Sequence, residues 1–273
     1  MRSYKIIASD LDGTLLNAKS QVSKENLRAM DTLAARGVHF VPASGRSFSE
    51  MPAEIRENPA IRYVIYSNGA VVFDKQSGKC IKACMDNKTV CSILDVLYRY
   101  DCHIAYRQDG TCFADAAQKS EALFAHHNLD KAHQNVITHY ATAVADFKPF
   151  SYKADAVETF AAYFHSYEDK VFCKTYFSQF SHLRVAEVSR YNLEIMSARA
   201  GKGNALHALA DRLGVSYDDT IAVGDSDNDA SMLSAAGLSL AVSNATGVIR
   251  KMADEAICSN EEHIVEFILN AWF

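Results

Sequence analysis

Two carboxylates one residue apart, Asp10 and Asp12, open the most informative stretch of the chain, Asp10-Leu11-Asp12-Gly13-Thr14. Alternate side chains of an extended backbone point the same way, so the pair shares one face. Like charges held side by side are unfavourable unless a cation compensates them, and hard oxygen ligands of this kind suit Mg²⁺. Gly13 allows a sharp exit, and Thr14 can donate to a neighbouring carboxylate. Ser44-Gly45 offers a hydroxyl and a backbone N–H suited to a phosphate oxygen. Lys202, in Gly201-Lys202-Gly203, stands at an expected helix start, where the dipole disfavours a cation unless anions gather there. Gly224-Asp225-Ser226-Asp227-Asn228-Asp229 supplies two more carboxylates, Asp225 and Asp229. The same stretch reads as a helix N-terminus, with Ser226 or Asp227 as cap and Asp229 complementing the dipole. Each point alone is equally a turn, a cap or a solvated lysine; only their convergence makes a reaction centre.

Convergence needs a scaffold that brings several strand ends to one edge. Tyr4 to Ser9 is an apolar run of strand length that ends at the first motif. Ser23 caps a predicted helix carrying Leu27, Met30, Leu33 and Ala34 on one face, closed by Gly37. Val38 to Val41 is a second strand leading to Ser44. Tyr63 to Tyr66 is a third, turned by Ser67-Asn68-Gly69 into a hairpin return over Val71 to Phe73. The pattern recurs near the C-terminus. Gly203 to Gly214 reads as a helix and Thr220 to Val223 as a strand running into Gly224. A helix with Met232 and Leu233 and the strand Leu238 to Val242 follow. Fully apolar strands alternating with helices predict an α/β fold, a Rossmann-like parallel sheet with helices on both faces. The polar motifs fall at the C-terminal strand ends, where such sheets place their ligands.

The middle of the chain differs. Helices are expected at 88–100, 118–128 and 153–165, with strands near 103–106, 111–114, 171–177 and 183–188. This predicts a discontinuous core domain, 1–83 with 197–273, and an inserted α+β domain, 84–196.

Composition narrows the classes. A chain of 273 residues, 49% hydrophobic and 22% charged, accommodates one large domain or two modest ones. A net charge of −5 without a Lys/Arg run argues against nucleic acid as partner. Seven cysteines, an odd number without a Cys-x-x-Cys, read as buried small residues in a reducing compartment. Ten histidines show no zinc-ligand spacing. No apolar run approaches the ~20 residues that span a bilayer, and Asp10 and Asp12 come too early for a signal peptide. The expectation is a cytoplasmic protein with neither membrane nor nucleic acid as partner.

Together, the Asp-Leu-Asp-Gly-Thr, Ser44, Lys202 and Gly-Asp-x-x-Asn-Asp elements resemble the haloacid dehalogenase superfamily. Ser44-Gly45-Arg46, Ser67-Asn68-Gly69-Ala70, Lys202-Gly203-Asn204-Ala205-Leu206 and Asp227-Asn228-Asp229-Ala230-Ser231-Met232 look like its Cof-type, sugar-phosphatase-like branch. Departures fall at 197–201, where relatives often carry Pro and Gly, and at Val242-Ser243-Asn244-Ala245, which lacks the more usual Met-Gly. The resemblance implies that 84–196 is an α+β cap. It also implies a Mg²⁺-dependent phosphomonoester hydrolase acting on a small phosphorylated metabolite through an aspartyl-phosphate. By the same resemblance Asp10 is the nucleophile, and Asp12 is the general acid and then the base. The metal falls to Asp10, Asp12 (through its carbonyl) and Asp225, with Asp229 in support. Ser44, Lys202, Asn228 and the N–H groups of Leu11 and Gly45 hold phosphoryl oxygens, and Arg46 and Asn68 face the substrate. The alternatives are a phosphomutase or phosphotransferase of the phosphomannomutase-like type, and a non-catalytic binding protein for phosphorylated metabolites. Transfer to water or to a second sugar hydroxyl separates the first; generic aryl phosphatase activity separates the second. Tyr106, Arg107, His126, His127, His182 and Arg184 could line a cleft, though cap core and solvated surface is the preferred reading for most of them.

Overall fold

The structure is a computed structural model that describes residues 4–273. Its first elements are β1 (Ile6–Ser9), α1 (Lys24–Ala35), β2 (His39–Pro42) and the short α2 (Ala53–Arg56). Strands β3 (Tyr63–Tyr66), β4 (Val71–Asp74) and β5 (Lys79–Lys82) follow and form a small sheet of their own, with β3 and β4 an antiparallel pair. The middle holds α3 (Asn87–Leu97), β6 (Cys102–Gln108), β7 (Thr111–Asp115), α4 (Glu121–His126), α5 (Lys131–His139), β8 (Thr142–Val144) and α6 (Phe147–Ser151). It continues through β9 (Val157–Phe164), α7 (Tyr167–Phe177), β10 (Leu183–Ala186) and β11 (Asn192–Ser197). The last part is α8 (Lys202–Leu213), β12 (Thr220–Gly224), α9 (Ala230–Ala235), β13 (Leu238–Val242), α10 (Gly247–Met252), β14 (Glu255–Ile257) and α11 (Ile264–Trp272). Contacts divide the chain into two units. One comprises residues up to 45, 51–81 and 201–273; the other comprises 46–50 and 82–200.

The first unit is built on a five-stranded sheet in the order β14-β13-β12-β1-β2, parallel throughout, with helices on both faces. Strands β1, β12 and β13 are buried along their whole length, which is why their sequences read as unbroken apolar runs. Ser23 caps α1 by accepting from the Asn26 N–H at 3.2 Å, and Ala29, Met30 and Leu33 form its buried stripe. From β1 the chain moves outward to β2 on one side, whereas β12, β13 and β14 lie on the other. The strand order therefore reverses between β1 and β12, the point at whose C-terminal end open parallel sheets place their ligands.

The second unit carries an antiparallel-rich sheet in the order β10-β11-β9-β6-β7-β8. Two sequence expectations are corrected here. Residues 153–165 are not a helix: Val157–Phe164 is β9, the central strand between β11 and β6, with all eight residues buried. A short apolar run covered on both faces has no periodicity to distinguish strand from helix. Residues 171–177 are not a strand: they belong to α7, capped by Ser166 and buried at Lys170, Cys173 and Phe177. That spacing is helical, but exposed Val171 and Phe172 mask it in the sequence. The helix expected over 118–128 is interrupted. Ser120 caps a short α4, and α5 follows after Asn128, a left-handed residue at φ 57°.

Of the residues weighed as cleft lining, Tyr106 and His127 are buried and His126, His182 and Arg184 exposed. Arg107 is buried and grips Glu50 bidentately, Nε to Oε1 at 3.0 Å and Nη2 to Oε2 at 3.2 Å. Burial works against the Glu50 charge, but the guanidinium more than offsets it and holds that carboxyl below its ordinary range. All seven cysteines are free. Cys102, Cys112 and Cys173 are buried, and the other four are half-buried rather than enclosed.

Candidate active site

Asp10 follows directly on β1 and is 4% exposed, its N–H donating to the Val223 carbonyl of β12 at 3.0 Å. Gly13 turns the chain at φ +84°, a left-handed conformation that favours glycine. A Cβ there would lie 2.8 Å from Asp225 Oδ2, so the turn and the second carboxylate occupy adjoining space. Thr14, buried, donates from Oγ1 to Asp225 Oδ1 at 2.9 Å, the bond that its hydroxyl suggested in the sequence.

Asp225 and Asp229 arrive from the end of β12. The Asp229 carboxylate accepts from the N–H groups of Asp225 (3.0 Å) and Ser226 (3.2 Å), bracing the turn as helix-terminal carboxylates do. Gly224 is required for this closeness, because a Cβ on it would meet Asp229 Cβ at 2.5 Å. Lys202, the first residue of α8, is 1% exposed and reaches Asp10 Oδ1 at 2.5 Å and Asp229 Oδ1 at 2.6 Å. One carboxylate oxygen each from Asp10, Asp225 and Asp229 lies within 4.8 Å of the others.

The electrostatics follow from the crowding. Burial pushes the Asp10 carboxyl up to about 7; Lys202 opposes the shift, and Asp229 and Asp225 add to it. Asp225 is also raised, by burial first and then by Asp229. Burial disfavours the charge of Lys202, but Asp10 and Asp229 overcome that and hold its ammonium above the usual lysine range.

Ser44 lies at the same edge, one strand over. Ala43 N–H donates to Ser9 O at 2.8 Å and Ser44 N–H to Ile65 O at 3.0 Å, so the segment is threaded between β1 and β3. Asn68 donates its N–H to the Ser44 carbonyl at 3.0 Å and stands in a left-handed turn at φ 54°. Its side chain closes over Gly45, where a Cβ would lie 2.9 Å from Asn68 Oδ1. Gly69 continues the contact to the start of α8, its missing Cβ only 2.3 Å from the Gly201 carbonyl carbon. Leu11 is buried.

The arrangement differs among the remaining candidates. Asp12 is exposed, and its carboxylate is not one of the three that converge. Asn228 is exposed and accepts from Ser226 Oγ at 2.8 Å through Oδ1, leaving its NH₂ as the donor. Arg46 groups with the other unit, and its Nη1 donates to the Glu50 carbonyl at 3.0 Å. Sequence reasoning missed Asn244. Its Nδ2 donates to the Gly13 carbonyl at 2.7 Å while its Oδ1 accepts from the Asn260 N–H, and Asn260 in turn holds the Leu16 carbonyl. The signal was available: Asn244 follows the end of β13, another strand end on the same edge.

A parallel sheet with a buried lysine clamped between carboxylates at its switch point defines a class, and comparison with known proteins gives the same one. A family model described as haloacid dehalogenase-like hydrolase matches residues 7–269. The chain belongs to this family, and within it to the Cof-type phosphatases. It is 31% identical to phosphatase YwpJ of Bacillus subtilis over 97% of this chain and 98% of that one. It is 27% identical to the 5-amino-6-(5-phospho-D-ribitylamino)uracil phosphatase YwtE of the same organism, over 97% of both chains. Among solved structures, a haloacid dehalogenase-like hydrolase from Bacteroides thetaiotaomicron superposes with a TM-score of 0.82 at 22% identity. That match covers 99% of this chain and 100% of that one. A haloacid dehalogenase-like hydrolase from B. subtilis gives 0.77 at 28% identity, covering 98% and 100%. Among the described residues no helix is long and apolar enough to cross a membrane.

Proposed function

We propose that this phosphatase hydrolyses phosphomonoesters of small soluble metabolites in the cytoplasm, with Asp10 as nucleophile and Mg²⁺ as cofactor. The observation that carries the reading is the Lys202 clamp, a buried ammonium 2.5 Å from Asp10 and 2.6 Å from Asp229 with Asp225 alongside. Three carboxylates against one ammonium leave negative charge uncompensated, and an all-oxygen donor set fits a hard divalent ion. Asp10 and Asp225, with the Asp12 carbonyl, would hold Mg²⁺ and Asp229 would support the site; bound there, the ion neutralises charge on the phosphoryl oxygens.

The chain's own residues account for the remaining steps. The Asp10 carboxylate attacks phosphorus and the ester P–O bond breaks, leaving an aspartyl-phosphate. Asp12 gives its proton to the departing alkoxide, then takes one from the water whose oxygen attacks phosphorus and frees Asp10. This divides one difficult displacement into two easier ones. Lys202 fixes the Asp10 carboxylate and, with the Ser44 hydroxyl, the Asn228 amide and the N–H groups of Leu11 and Gly45, holds the phosphoryl oxygens in place. Phosphoryl transfer depends mostly on such positioning and charge stabilisation. Asn68 lies over Gly45, at the end of that cradle facing the rest of the substrate; Arg46 is the next residue in the chain.

The test is release of inorganic phosphate from a panel of sugar phosphates, pyridoxal phosphate, flavin mononucleotide, nucleotides and 5-amino-6-(5-phospho-D-ribitylamino)uracil. Turnover is expected with Mg²⁺, and not with excess EDTA or in Asp10→Asn. Full activity in that variant, or after verified metal removal, overturns the assignment.

A further inference from the structure

The second unit contains a group of side chains for which phosphoryl transfer has no use. Asp101 precedes β6, His126 and His127 end α4, and His165 follows β9. Asp101 Oδ2 is 2.7 Å from His126 Nε2, and its Oδ1 is 2.9 Å from His127 Nε2. One ligand atom each of Asp101, His126 and His165 lies within 4.8 Å of the others. We propose that Asp101, His126 and His165, backed by His127, form a binding site for a divalent transition-metal ion of the zinc class.

The outer contacts orient the group. His127 Nδ1 is 3.0 Å from the Leu123 carbonyl oxygen, and its Nε2, 2.9 Å from Asp101 Oδ1, holds the carboxylate in place behind His126 and His165. His165 is fixed in the same sense. Its Nδ1 donates to the His126 carbonyl at 2.8 Å, which leaves Nε2 as the coordinating atom. A backbone carbonyl on the far nitrogen is the usual second contact of a metal-binding histidine.

The frame is also held in advance. His165 N–H donates to Asp101 O at 3.0 Å, and Asn128 Nδ2 donates to the Phe164 and His165 carbonyls, so the three segments are tied by backbone contacts. The rings of His126 and His165 are stacked with centroids 4.1 Å apart, so the exposed His126 ring turns about its side-chain bonds to bring both lone pairs to one ion. Ligand atoms of a tetrahedral zinc site stand about 3.4 Å apart, from metal–ligand lengths of about 2.1 Å. The ligand atoms lie within 4.8 Å of one another, and the three side chains are exposed and able to adjust to that spacing. Imidazole nitrogen with a single carboxylate favours zinc, nickel or copper over Mg²⁺.

The experiment titrates Zn²⁺ into full-length, metal-stripped protein re-equilibrated with millimolar Mg²⁺, followed by calorimetry and by ¹⁵N-detected histidine ring resonances. One equivalent is expected to bind, with shifts at His126, His127 and His165. His126→Gln/His165→Gln removes two of the three ligands and should abolish the one-equivalent binding. These positions are exposed, so the variant retains its fold; the ring resonances of the unmodified protein give a readout that needs no variant. The proposal fails if the rings do not respond to Zn²⁺. It also fails if the double variant binds Zn²⁺ as tightly as the parent, which would place the ion elsewhere.

Discussion

Replacing Lys202 by Met removes the one positive charge from a pocket that holds two buried carboxylates, while keeping most of the side chain's volume. The ammonium lies 2.5 Å from Asp10 and 2.6 Å from Asp229, all three groups 5% exposed or less. At an effective dielectric of about 20, each contact is worth about 6 kcal/mol before the cost of desolvation. After desolvation, deleting one partner of a buried pair costs about 3–5 kcal/mol, because the remaining charge is stranded. Lys202→Met should therefore lower the stability of the first unit by about 3–5 kcal/mol in EDTA at ~pH 8. Adding Asp10→Asn should recover much of that loss, since it removes one of the two stranded charges, whereas Asp10→Asn alone should cost little. Urea unfolding followed by fluorescence reads this directly, because the single tryptophan, Trp272, belongs to that unit. A Lys202→Met protein within about 1 kcal/mol of the parent, or a double variant less stable than the single, would refute the reasoning.

Asp12→Ala should slow the phosphorylation step with a sugar phosphate by about 10²–10⁴-fold and far less with a nitrophenyl phosphate, whose leaving group needs no proton. An initial burst of nitrophenol in rapid-mix kinetics is the expected signature, and equal losses with both substrates would contradict it. Gly13→Ala puts a Cβ 2.8 Å from Asp225 Oδ2 at φ +84°, so half-maximal activation should need about tenfold or more Mg²⁺ with the fold retained. An unchanged Mg²⁺ dependence would argue against Asp225 as ligand. His133 is buried and its ring is lowered to about 4, by burial first and then by Arg107. Below an unfolded value near 6.5 the unfolded chain gains the proton first, so stability falls with pH down to about 4, by roughly 3 kcal/mol in all. His133→Gln should flatten that slope in urea midpoints compared between neutral and acid pH; an unchanged slope would exclude the residue as its source.

The convergence of the candidate residues was legible because they sit where covalent order and strand order coincide. Asp10, Ser44 and Asp225 each end an apolar run, and in a parallel sheet those ends share one edge. Lys202 stood out because a cation at a helix start is electrostatically out of place, and the two carboxylates beside it supply the reason. Asn244 obeyed the same strand-end rule but was weighed only as a departure from a motif, and its bond to the Gly13 carbonyl is visible only in three dimensions. The inserted unit was harder to read. In β9 both faces are buried, which erases alternation, whereas α7 leaves Val171 and Phe172 exposed and so dilutes its stripe. Local pattern reports burial, and in both elements burial is set by neighbours distant in the chain.

Residues 46–50 cluster with 82–200, so the chain passes between the two units at four points and not two. For exchange of modules between relatives, the inserted unit is not a single cassette. A transplant cut at 82 and 200 would carry Arg107 away from Glu50 and leave each fragment with half of a buried pair, a mismatch of about 3–5 kcal/mol. Recombination that preserves the pair must take both segments, and its first breakpoint then falls between Gly45 and Arg46. On one side of that bond lies the phosphate cradle proposed above, and on the other begins the inserted unit. Whatever a chimera inherits with that unit is accordingly encoded in two stretches of the gene, one of them only five codons long and beginning two codons after Ser44.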